Sequence, residues 1–133
     1  MRLAPSAPVA LVVVLVLVSA PLFAHHGAAS YDTNKLTTLK GVVTDFQFMN
    51  PHSEIFFDVT DAAGKVQGWI AEGVGVSTMS RGGWSKNILK AGDQITITGN
   101  PARNGSHAMR LKKIVLPNGR ELALQSAEDY AGQ

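Results

Sequence analysis

The hydrophobic positions divide the chain into a short apolar block, a polar stretch and a long region of alternation. The block is residues 9–18, VALVVVLVLV, with Arg2 before it and Ser19, Ala20 and Ala24 after it. A basic start, an apolar core and small residues near a break have the form of a secretory signal. The block is shorter than the roughly 20 apolar residues that a membrane-spanning helix needs, so an uncleaved anchor is the weaker reading. Cleavage after Ala20 would leave Pro21 in first place, and Ala29 lies far from the block. Cleavage after Ala24 is favoured, although Leu22 is larger than that position prefers, and it makes His25 the new N-terminus.

The chain then divides into a signal over residues 1–24, an arm over 25–36, a β domain over 37–124 and a flexible polar tail over 125–133. The domain opens with a strand over residues 38–48, in which Val42, Phe46 and Phe48 share a side and Gly41 marks a bulge or sharp bend. Asn50-Pro51 breaks that strand. A second strand over 53–60 turns Ile55, Phe57 and Val59 one way. A turn at residues 61–64 leads into a third over 65–72, with Val66, Gly68 and Ile70 on one face and Trp69 on the other. Alternation then lapses. One or two helical turns are expected over 76–81, ended by Gly82-Gly83, with a further short turn over 84–89 and Ser85 as its cap. Strands return over 94–99, with Ile95 and Ile97 inward, and over 107–116, with a last short one over 121–124. Three strands, a short helix and two or three strands predict a mainly β fold. The expected form is a small five- to six-stranded OB-like barrel with the helix between strands three and four.

Composition narrows the function. With 133 residues less 24 for the signal, 109 remain, enough for one core without staples. The absence of cysteine excludes disulfides and thiolate metal sites. Losing Arg2 from twelve basic residues leaves eleven against ten acidic ones, and Lys112-Lys113 is the only adjacent basic pair. No basic face for nucleic acid results. No Gly-x-Ser-x-Gly elbow is present, and Gly73-Val74-Gly75 lacks the rest of a phosphate loop. Asp45, Glu54, Asp58 and Glu72 fall on strands where they can face one another, which by default describes a charged sheet face.

The histidines are the one constellation that suggests chemistry. A freed His25 offers its α-amine and its imidazole, which together close a chelate ring on one ion. His52, beside Pro51, is the best third nitrogen, and three nitrogens suit copper(II). His26 is a further candidate, although neighbouring residues seldom both face one ion. The bland alternative is a solvated N-terminal pair and a loop histidine. Zinc fits less well, because a structural site takes four protein ligands. His107, at a strand start, reads as a surface residue. Trp84 reads first as a core plug and second as a stacking platform for a ligand. Arg81 reads first as a partner for Glu72 and second as a contact for an anionic ligand.

The chain also resembles a family of small exported bacterial proteins, the domain of unknown function 6152. The matching pieces are His25-His26, Tyr31-Asp32, Lys35, residues 39–43 (LKGVV), Asn50-Pro51-His52, Asp61 and Gly64-Lys65. They continue with Trp69, Arg81, Gly83-Trp84, Gly92-Asp93, Pro117 and Gly119-Arg120. The departure is Gly73-Val74-Gly75, where a more helix-friendly stretch is expected. The resemblance implies export and a shared fold, and carries no activity with it. Three readings follow, in order. The first is an exported, periplasmic module binding a small ligand or a protein, touching the membrane only through its signal before cleavage. The second is a copper-binding protein using His25 and His52, and the third is an enzyme.

Overall fold

The computed structural model describes residues 30–124, so the signal expected over 1–24 and the tail over 125–133 lie outside it. The described elements are β1 (Thr37–Gln47), β2 (Glu54–Thr60), β3 (Val66–Glu72), α1 (Val76–Arg81), β4 (Gln94–Pro101), β5 (Ala108–Val115) and β6 (Glu121–Ala123). The sheet runs β3-β2-β1-β4-β5-β6, and a parallel pairing of β3 with β5 closes the first five strands into a barrel. This is the OB-like layout expected from the order of elements, with β6 added as an extra strand on β5.

The long first strand makes closure possible. Its start pairs with β4, from Thr37 opposite Gly99 to Val42 opposite Gln94. Its end pairs with β2, from Val42 opposite Asp58 to Gln47 opposite Glu54. The register slips between Val43 and Asp45. That bulge changes which side chains point inward. Strict alternation put Val42 with Phe46, whereas the extra residue puts Val43 in the core beside Phe46 and leaves Val42 outside, 42% exposed. Gly41 is therefore not the bulge. A Cβ there would lie 2.7 Å from the Asp58 carbonyl oxygen and 2.8 Å from the Phe57 ring, so the residue allows β1 to pass close over β2.

Elsewhere the alternation holds, except in β5, where a second irregularity opposite Thr98 and Gly99 shifts it between Leu111 and Ile114. Ile55 and Phe57 of β2, Ala71 of β3, Ile95 and Ile97 of β4, and Met109, Leu111 and Ile114 of β5 fill the barrel. Each such large apolar side chain contributes about 1.5–3 kcal/mol by leaving water. The β2–β3 hairpin is held by Asp61, whose Oδ1 accepts from the backbone N–H groups of Ala63 and Lys65, both at 2.9 Å. α1 packs Met79 into the core and ends at Gly82-Gly83, as its sequence required.

Candidate functional site

The loop that carries His52 is tied to the start of α1. The Asn50 Oδ1 accepts from the Val76 N–H at 2.9 Å and so takes one of the donors that the first helical turn leaves unpaired. The Ser53 N–H donates to the Val74 carbonyl at 2.9 Å, and the Gly73 N–H donates to the Ser53 carbonyl at 2.7 Å. This accounts for the glycines at 73 and 75. A Cβ on Gly75 would sit 2.7 Å from the Asn50 Oδ1, so a more helix-friendly residue would push the loop away. His52 is thereby presented at the rim, its side chain 42% exposed, with Nδ1 at 3.0 Å from Oε1 of Glu72.

The second oxygen of Glu72 is also taken. The Tyr31 hydroxyl donates to Oε2 at 3.0 Å. Tyr31 forms an isolated bridge with Ala102, just past β4, and the Asp32 N–H donates to the Pro101 carbonyl. The Arg103 Nε–H donates to the Tyr31 carbonyl at 3.1 Å, and the buried Asn100 amide donates to the Lys35 carbonyl at 2.6 Å. Residues 30–36, expected as a plain extended arm, are a strap fixed to the barrel, with Tyr31 only 8% exposed. Burial, reinforced by the hydrogen bond to Glu72 and by the charge of that carboxylate, pushes the Tyr31 phenol up to about 12. Arg110 opposes the shift, and Glu54 adds to it. These groups adjoin because Glu54 lies opposite Glu72 across β2 and β3, and Glu72 lies opposite Arg110 across β3 and β5. Two carboxylates and one guanidinium therefore surround the Tyr31 hydroxyl.

Other sequence candidates lie elsewhere. Arg81 does not pair with Glu72. Its guanidinium donates to the Ser77 and Thr78 hydroxyls of its own helix, which sit one turn earlier and so are nearer than β3. Trp84 is 3% exposed and packs against Phe46 with ring centroids 6.1 Å apart, the plug arrangement. His107 is exposed and stacks on Trp69 at 4.9 Å. Asp45 accepts from the Phe46 N–H and the Gln47 amide, and Asp58 lies opposite Gly68, so neither joins the Glu54–Glu72 pair. A separate open groove of about 710 Å³ borders Lys40, Val42, Asp58, Gln94 and Thr96 and shares no residue with the His52 group.

Sequence reasoning missed Tyr31 as a site residue. The available signal was a lone large aromatic in an otherwise small and polar stretch. His25 and His26 lie outside the described residues. Among the described residues, no three of His, Asp and Glu gather as a metal-holding group, and no helix is long and apolar enough to cross a membrane. A metal at His52 would therefore need ligands from outside the described residues.

No curated protein and no solved structure matches the chain. The family of unknown function DUF6152 matches residues 12–110, and the chain belongs to that family.

Proposed function

We propose that the protein is an exported, non-enzymatic binding module of the periplasm, and that its ligand is copper(II). The ion is held by the α-amine and imidazole of a mature N-terminal His25 together with the imidazole of His52, with His26 as a further nitrogen donor. One observation supports this reading above others: the strap that follows the leading histidines is fastened to the same carboxylate that His52 contacts. Tyr31 bonds one oxygen of Glu72, and His52 lies against the other. From Tyr31 back to His25 is six residues, which extended span about 20 Å. A stretch of that length could bring residue 25 to His52 without a long closure penalty. Copper(II) stands highest in the divalent affinity series and accepts nitrogen ligands in a plane.

The test is the exported protein itself. Its intact mass should show His25 as the first residue. Titration with copper(II) should give one ion per chain, bound more tightly than about 1 μM, with His52→Ala losing at least about tenfold in affinity. A mature chain that begins beyond His26 would overturn the copper reading. So would micromolar or weaker binding that His52→Ala leaves unchanged. Either result leaves a module for another periplasmic ligand or a protein partner.

A further inference from the structure

We infer that the cleft between the end of α1 and the end of β6 binds a small monocarboxylate with an apolar body, its carboxylate held by the Arg81 guanidinium and the Trp84 indole N–H. The site shares no residue with the His52 group and needs no metal. It is a cavity of about 240 Å³, bounded by Met79, Arg81 and Gly82 at the end of α1, by Trp84, and by Ala123 and Leu124 at the end of β6. Trp84 supplies the first sign of a ligand. It is 3% exposed, and its Nε1 is a buried donor with no acceptor among the described residues. Buried N–H groups are nearly always paired, because an unpaired one has given up its water without gaining a partner. The indole Cδ1, which is bonded to Nε1, lies 3.6 Å from where a Cβ on Gly82 would sit. The edge of the ring that carries the unpaired donor is therefore turned toward a wall of the cavity.

Charge sets the kind of acceptor. The Arg81 guanidinium donates to the Ser77 Oγ at 3.1 Å and to the Thr78 Oγ1 at 3.3 Å. Those bonds hold it along the helix and leave further N–H donors free. No carboxylate pairs with it among the described residues. Arg120 adds a second cation, its Nη2 lying 3.2 Å from where a Cβ on Gly83 would sit, while the Glu121 carboxylate is paired with Lys113 at 3.5 Å. No Asp or Glu among the described residues lines the cavity. Such a surplus of positive charge favours an anion, and a planar guanidinium matches a carboxylate better than a point charge does. Space sets the size. Gly82 has φ −80° and ψ 6°, a conformation open to any residue, whereas Gly83 at φ +89° makes the left-handed turn. The missing side chain of Gly82 leaves room between the Trp84 ring and the Ala123 carbonyl. Met79, Ala123 and Leu124 offer apolar surface to the rest of the ligand. The volume falls below the roughly 300–1,000 Å³ of sites for drug-sized molecules, so the occupant is a small acid.

Titration of the metal-free, isotope-labelled protein with benzoate, followed by NMR, tests this apart from the copper reading. The indole N–H signals of Trp69 and Trp84 are told apart with Trp69→Phe. The Trp84 signal should move downfield and saturate with a Kd of about 1 mM or tighter. Benzyl alcohol, which keeps the ring and loses the charge, should bind at least about tenfold more weakly. Arg81→Ala should cost about tenfold or more in benzoate affinity. Gly82→Ala, which the backbone accepts, should do the same by placing a methyl group in the cavity. Dispersed amide spectra confirm that both variants are folded. A Trp84 N–H signal that stays in place at about 10 mM benzoate overturns the inference. So does a benzoate affinity that neither Arg81→Ala nor Gly82→Ala alters, and so does benzyl alcohol binding as tightly as benzoate.

Discussion

Replacing Tyr31 by Phe removes one oxygen atom and leaves the ring in its place. The lost hydroxyl is a buried donor to a carboxylate at 3.0 Å. A hydrogen bond to a charged group is worth about 1.5–3 kcal/mol. Glu72 retains 25% side-chain exposure, so water can replace the lost donor, and the low end of that range is expected. Tyr31→Phe should therefore destabilise the domain by about 1.5 kcal/mol, a fall in Tm of roughly 6–12 °C for a domain of this size. The effect has a pH signature. Because folding raises the phenol to about 12, the unfolded chain ionises first as pH climbs. The stabilisation is complete below about pH 10 and disappears as pH rises through the folded value. Urea unfolding of the wild type and Tyr31→Phe, each carrying Tyr130→Phe, should show the gap at neutral pH and its closure in that alkaline window. Ultraviolet titration of the remaining tyrosine, followed while tryptophan fluorescence reports a folded protein, should give a midpoint well above 10. A stability difference under about 0.5 kcal/mol at neutral pH, or a tyrosine that ionises at its ordinary pH in the folded state, would refute the docking of the strap through Glu72.

Three further outcomes test the barrel around the site. Gly99→Ala drives a Cβ into the Arg110 carbonyl oxygen and to 2.9 Å from the Met109 Sδ at the β4–β5 irregularity; a loss of about 3 kcal/mol or outright failure to fold is expected in urea unfolding. Hydrogen bonds from the Lys90 ammonium, and next from its backbone N–H, hold the Asp93 carboxyl below its ordinary range. Its contribution to stability is present above about pH 4 and lost as pH falls through the folded value, and Asp93→Asn should remove that acid-side step from a plot of urea midpoint against pH. Trp84→Ala should cost about 3–5 kcal/mol as a buried plug, whereas Arg81→Ala, on the exposed face of α1, should stay within about 0.5 kcal/mol in the same assay.

The fold was legible because period-two alternation and turn residues act locally. β2 and β4 turn the expected faces inward, and α1 occupies the predicted residues 76–81, since each depends on near neighbours and on a partner with the same periodicity. β1 is where the reading slipped. A bulge adds one residue to one strand against its partner, and neither strand alone carries the mismatch, so Val43 rather than Val42 became the core residue. The glycines at 73 and 75 misled for a related reason. They look unfavourable for a helix entry until the loop at residues 50–53 is packed against them, a contact twenty or more residues away in sequence.

Of the Tyr31–Glu72–His52 group, only His52 was singled out by the sequence. His52 stood out because its residue type and its rigid neighbour Pro51 suggest ligation, but Glu72 was one of four strand carboxylates with no local mark to distinguish it. What singles it out is strand pairing. Registry of β3 with β2 on one side and β5 on the other sets Glu72 between Glu54 and Arg110. The edge where β3 meets β5 is also where the strap passes, held by Ala102 and Arg103 beyond β4. A single carboxylate can then serve two partners that come from either side of β1, Tyr31 ahead of the barrel and His52 between its first two strands. The same contacts give the strap its direction. With Tyr31 pinned and Lys35 tied to Asn100, the chain ahead of Ser30 starts from a point fixed on the barrel. For that reason a change at Tyr31 should register both in the stability of the fold and in the anchoring of residues 30–36 to the barrel.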